Sequence, residues 1–186
     1  GKEGVDARKV NIMNMRPPEI AAAWERGDID ATFVWDPVLA KVKQKGKVIA
    51  TSGSIAQMGF PTFEGVVVTN KFAQENPEFM VAFVKALNRA SAQVRDNLGK
   101  WTPESSEVKA IAKWCKADPK DVPAAMALYK FPSAEEQLGA QWLGGGAAKA
   151  MTNTAAFLKS QGRIQEVKPD YAAFVTDVYV KKALGK

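Results

Sequence analysis

The sequence predicts an α/β fold: part of a lobe built on a parallel sheet, followed by a helix-rich second half. Three observations predict it. Strand-like and helix-like patterns alternate between residues 9 and 50, which is the order of parallel βαβ units. A single further strand-like run, "FEGVVVTN", follows at 63–70. Beyond it, apolar residues recur at three- and four-residue spacing between caps and stops, which is the pattern of helices.

The opening "GKEGVDARKV" reads as the tail of a helix with Gly4 as its cap. "KVNIMNM" at 9–15 reads as a strand, and "RPPEIAAAWERG" as a complete helix unit. Pro17 and Pro18 suit a first turn, where no N–H is required, and Gly27 suits a left-handed stop. "DIDATFVW" at 28–35 is the second strand; Pro37 opens the helix "PVLAKVKQKG", which Gly46 ends, and "KVIA" is a short third strand. The Ser/Gly-rich stretch 51–62 reads as a loop, longer than most connections. After the Val-rich run, 76–97 is a long amphipathic helix with Phe79, Phe83, Val84 and Leu87 on its apolar stripe. Thr102 or Glu104 starts a helix around Ile111 and Trp114, Ser133 with Glu136 forms a capping box, "AAKAMTNTAAFLKSQG" ends at Gly162, and Asp170 caps "YAAFVTDVYVKKALG".

One strand does not make a sheet. Val66–Val68 therefore calls for a partner, either in the sheet of the first lobe or in a segment outside this chain. Together with the abrupt opening, this predicts that the chain lacks an N-terminal half.

Composition removes whole classes of chemistry. Among 186 residues there is no histidine and one cysteine. That excludes a Ser-His-Asp triad, a Cys-His dyad and an internal disulfide and removes nearly every common zinc or iron site, so no metal and no cofactor is expected. Cys115, in "AIAKWCKA", reads as a small buried apolar residue, and Trp101, Trp114 and Trp142 as core or helix-junction residues. Lys and Arg number 26 against 20 Asp and Glu, but the basic residues are scattered. The densest group, Lys41, Lys43, Lys45 and Lys47, lacks interleaved aromatics or Arg and reads as a solvated helix end, so no nucleic-acid partner is expected. No apolar run approaches the ~20 residues of a membrane span. "GGG" at 144–146 lacks the strand and lysine of a P-loop and reads as a helix break.

In an open parallel sheet, ligands bind outside the carboxyl ends of the strands. Two such ends lead directly into helices here: Asn14-Met15-Arg16-Pro17 and Val34-Trp35-Asp36-Pro37. Helix starts offer free N–H groups to an anion. Two readings stand for Trp35, a core residue or the apolar wall of a pocket. Two stand for Asp36, a cap on the helix that Pro37 opens or a charge in the pocket. Arg16 is surface or an anion partner. Glu64, acidic within an apolar run, faces solvent or a cleft.

Taken in order, "VNIMNMRPPEIAAAWERGDIDATFVWDPVLAKV", then "GFPTFEGVVVTNKFAQENPEFMVAF", then "AAFLKSQGRI" and "DYAAFVTDVYV" resemble the taurine and aliphatic-sulfonate solute-binding proteins of bacterial ABC importers. The resemblance covers essentially the whole chain. It implies the two-lobe, type II periplasmic-binding-protein architecture, with 1–60 as the later part of lobe two, 61–69 as the hinge strand and 70–186 as the helical return into lobe one. It implies a non-enzymatic, monomeric protein of the periplasm that hands a small sulfonate, foremost taurine, to an ABC permease. An alkanesulfonate, nitrate or a pyrimidine precursor is the alternative ligand. The implied ligand-binding residues are Met15, Pro17, Trp35, Asp36 and Glu64: Trp35 along the carbon chain, Asp36 and Glu64 flanking the ligand, an acidic group at Glu64 suiting an ammonium and the backbone N–H groups at the helix starts suiting the sulfonate. Glu64 falls where the taurine proteins often carry Asp, and Val66 where relatives often carry Trp.

Overall fold

A computed structural model describes Gly4, Asp6 and residues 9–186 of the chain. Ten α-helices are found among the described residues: α1 (Pro17–Arg26), α2 (Val38–Val42), α3 (Ser52–Gln57), α4 (Asn70–Glu75), α5 (Pro77–Asn97), α6 (Ser106–Cys115), α7 (Val122–Met126), α8 (Ala134–Gln137), α9 (Gly146–Ser160) and α10 (Val178–Ala183). Short 3₁₀ turns occupy Leu98–Lys100 and Ala172–Phe174. The helix tail expected before Gly4 falls largely outside the described residues.

No strand occurs among the described residues, which overturns the α/β, periplasmic-binding-protein-like expectation for this chain. The runs 9–15, 28–35, 47–50 and 63–69 carry β-type side chains but no ladder of strand hydrogen bonds. The physical reason is that strand formation depends on a neighbour. β-propensity measures how a side chain fits a half-buried pleated surface, and an isolated segment has no partner for its N–H and C=O groups. Here both alternating positions of such runs face solvent: Ile12 and Met13 are exposed, as are Val48 and Ile49, and Val67 reaches 92% exposure between exposed Val66 and Val68.

The chain divides into two compact units, each made of two separated stretches: Gly1–Val48 with Trp101–Ala125, and Ile49–Lys100 with Met126–Lys186. Among the described residues of the first unit, the buried apolar side chains are Ala23, Val34, Val42, Val108, Ala112 and Val122. α1 packs on α2. Arg16 precedes α1 in an extended conformation, Pro17 and Pro18 fill its first turn, and Gly27 closes it at φ 77°, where a side chain would strain. α6 buries Val108 and Ala112, one turn apart on a single face. Trp114 lies roughly 120° around the helix from Val108 and is 81% exposed rather than core. Cys115 is also exposed, against expectation, because the helix ends there and Lys116 turns the chain away in the left-handed conformation.

The second unit is organised around α5, which buries Met80 and Val94 and packs against α4 and α10. Tyr179 of α10 donates its hydroxyl to the carbonyl of Ala73 at 3.3 Å. Gln137 of α8 donates to the Asn88 side chain at 3.1 Å, and Arg95 to the Phe131 carbonyl at 3.4 Å. Phe72, Phe79 and Phe83 form an exposed aromatic series, edge-to-face and then stacked, at centroid separations of 5.7 and 6.2 Å.

Three elements differ in extent from their sequence patterns. The helix expected over 37–46 covers only Val38–Val42. The expected loop 51–62 contains α3, because Thr51 and Ser54 satisfy each other's backbone N–H groups at 3.1 and 3.0 Å. The expected helix 171–185 shortens to α10. Thr176 accepts from the Val178 N–H and Asp170 from the Ala172 N–H, local bonds that compete with a continuous helix.

Candidate functional site

Met15, Pro17, Trp35 and Asp36 belong to the first unit, and Glu64 to the second. Met15 and Pro17 are half-buried, at the entry to α1. That entry is poor in free donors. Pro17 and Pro18 have no N–H, the Ile20 N–H donates to the Arg16 carbonyl at 3.0 Å, and the Glu19 carboxylate accepts from the Arg16 N–H at 2.8 Å.

The turn from residue 34 into α2 is the most defined feature among the candidates. Val34 points inward and is buried, whereas Trp35 is 55% exposed. This removes the core alternative for Trp35 and leaves an indole with no aromatic partner among the described residues. Asp36 is half-buried, and its peptide bond to Pro37 is cis. The Ala40 N–H donates to Asp36 Oδ1 at 3.1 Å, and the Leu39 N–H donates to the Trp35 carbonyl at 3.0 Å. The N-cap position of α2 is Pro37, which offers no side-chain bond; Asp36, one residue earlier, instead satisfies a first-turn N–H of α2, which is close to the capping reading and leaves its second oxygen unengaged by that bond.

What holds this turn was not visible in local spacing. Trp24 of α1 lies against Gly46, just beyond α2. Lys45 Nζ meets Glu25 Oε1 at 2.7 Å, an ion pair whose partners are 20 positions apart. Its hydrogen bond, then its charge, holds the Glu25 carboxyl below its ordinary range. The signal available in sequence was the Lys cluster after α2 facing an acidic position near the end of an Ala-rich helix.

Glu64 is exposed, within a run whose neighbours are also exposed. A shallow groove of about 420 Å³ in the second unit is lined by Pro77, Glu78, Val81, Ala82, Lys85 and Lys182; it contains none of the five candidates. No cluster of metal-ligating side chains is present among the described residues, and no described helix is long and apolar enough to cross a membrane.

Residues 2–129 match the NMT1-like family. Over 178 residues the chain is 34% identical to the taurine-binding periplasmic protein of Escherichia coli (strain K12), covering 96% of this chain and 55% of that protein. Over 105 residues it is 32% identical to the "Putative aliphatic sulfonates-binding protein" of Bacillus subtilis (strain 168), covering 56% of this chain and 31% of that protein. The chain thus spans about half the length of the first relative and a third of the second. On the extent of the family match, the chain belongs to the NMT1-like family.

Proposed function

We propose that this chain is part of the solute-binding component of a bacterial ABC importer, capturing a small sulfonate of the taurine class in the periplasm for delivery to a membrane permease. It works by binding, without chemical conversion. The observation that carries the reading is the 34% identity to a taurine-binding protein across 96% of the chain. The exposed indole of Trp35, fixed at the start of α2, supports it as an apolar wall for a short carbon chain. Met15 and Pro17 border the neighbouring helix entry in the same unit. Glu64 supplies a carboxylate for an ammonium group, a charge-assisted contact that selects an amino-sulfonate over a simple alkanesulfonate.

Titration calorimetry tests the reading. Saturable binding of taurine is expected, with Glu64→Gln weakening taurine at least about fivefold more than ethanesulfonate, the discrimination of one charge-assisted hydrogen bond. Equal losses for both ligands would remove the ammonium role of Glu64. Absence of taurine binding alongside saturable binding of a different anion would replace taurine as the ligand.

A further inference from the structure

We infer that Asp36 is a positioning residue, which fixes the turn that presents Trp35 and does not itself contact the ligand. Its ligand arm rests on the sulfonate-binding reading above. Three bonds carry it. Asp36 Oδ1 accepts from the Ala40 N–H at 3.1 Å in a half-buried setting. The carbonyl of the preceding residue, Trp35, accepts from the Leu39 N–H at 3.0 Å. Both residues are thereby tied to successive positions of α2. α2 is in turn held to α1 by the Glu25–Lys45 pair at 2.7 Å and by the Trp24 ring seated on Gly46.

Trp35 has no such support from its own side chain. Its indole is more than half exposed and makes no ring contact among the described residues. The direction in which it projects is therefore set by its backbone, and the backbone is set by the bonds to α2. The bond to the Ala40 N–H needs an oxygen acceptor, not a charge: Asn keeps that acceptor and Ala has none. A ligand contact to an ammonium needs the charge. The two roles therefore separate at one substitution.

The experiment compares Asp36→Asn and Asp36→Ala in the full chain, with three readouts. Amide hydrogen exchange at Ala40 in the ligand-free protein is expected to stay near the parent rate in Asp36→Asn and to rise about fivefold or more in Asp36→Ala, the ratio corresponding to one lost hydrogen bond. The Trp35 emission spectrum, isolated by subtracting the Trp35→Phe variant, is expected to shift in Asp36→Ala and to match the parent in Asp36→Asn. Taurine affinity is expected to fall about fivefold or more in Asp36→Ala and to stay within about twofold in Asp36→Asn. An Asp36→Asn variant that loses as much taurine affinity as Asp36→Ala while keeping the parent's Ala40 exchange would overturn the inference and make Asp36 a ligand contact. Unchanged Ala40 exchange and Trp35 emission in Asp36→Ala would overturn it as well. If the parent protein binds no sulfonate, the function proposed above fails, and the exchange and emission readouts still decide whether Asp36 positions Trp35.

Discussion

The ring of Trp24 lies directly over the backbone of Gly46: a Cβ placed on Gly46 would stand 2.9 Å from Trp24 Cζ2 and 3.0 Å from the carbonyl oxygen of Val42. α1 thus rests on the exit of α2 across a gap that only glycine leaves open, and α2 is the helix that Trp35 leads into.

Gly46→Ala is therefore expected to destabilise the first unit by about 1–3 kcal/mol, the usual cost of overpacking. The ring can tilt, but the Val42 carbonyl belongs to the α2 backbone and yields only if that helix moves. Urea unfolding gives the test, as a lowered midpoint with an unchanged slope. A midpoint equal to the parent's would show that the seat is loose.

The Glu25–Lys45 pair predicts a modest acid sensitivity. Lys45 lowers the Glu25 carboxyl below its ordinary value of 4.5, by hydrogen bond first and by charge second. A folded-state value below the unfolded one gives a stabilisation present above that ordinary value and lost as pH falls through the depressed one. Glu25→Gln is expected to lower the thermal midpoint near neutral pH and to make no difference well below that value. Both partners are exposed, so the effect is small and is further reduced by high salt. An equal midpoint difference at both pH values would place the role of Glu25 outside ionisation.

Ser133 and Glu136 form a reciprocal cap on α8, with the Glu136 N–H donating to Ser133 Oγ at 3.1 Å and the Ser133 N–H to Glu136 Oε2 at 2.7 Å. Ser133→Ala is expected to cost about 1 kcal/mol and Ser133→Asp almost nothing. Calorimetric unfolding of the two variants side by side checks the ordering.

The glycine that opens α9, Gly146, and the one after its end, Gly162, are predicted to differ in tolerance. A Cβ on Gly146 would overlap the carbonyl group of Gln141, whereas a Cβ on Gly162 meets open space and suffers only from a φ of 66°. Gly162→Ala is expected to cost roughly 1–2 kcal/mol, and Gly146→Ala about 3 kcal/mol or more, because backbone has to move. A reversal of that order in chemical denaturation would mean that the chain entering α9 is not held as described.

Local features were legible in the sequence. The stop at Gly27, the span of α5, the Ser133–Glu136 box and the helix end near Gly162 all follow from interactions within a few residues. The strand assignments failed where the required partner has to come from elsewhere: nothing inside "FEGVVVTN" says whether another segment lies alongside it. α3 was missed because Thr51 and Ser54 bond each other across a stretch whose composition resembles a loop. At the candidate site, the helix start after Trp35 and the capping option for Asp36 could be read from Pro37 and its neighbours. The Trp24–Gly46 seat and the choice of Glu25 as the partner of Lys45 could not, since they depend on how α1 and α2 pack, although the lysine cluster itself was visible.

The bond from Tyr179 to Ala73 joins positions 106 residues apart, and it belongs to a unit whose two stretches are separated by residues of the other. This bears on how the protein is made. As the chain leaves the ribosome, α4 and α5 emerge long before the helix that covers them, and translation runs at about 5–20 residues per second. For several seconds the α5 surface that later receives α10 has no cover, alongside the aromatic series of Phe72, Phe79 and Phe83. The α5 surface that meets α10 is completed only after residues 178–183 have been synthesised, and apolar surface left open during synthesis is where non-native contacts form.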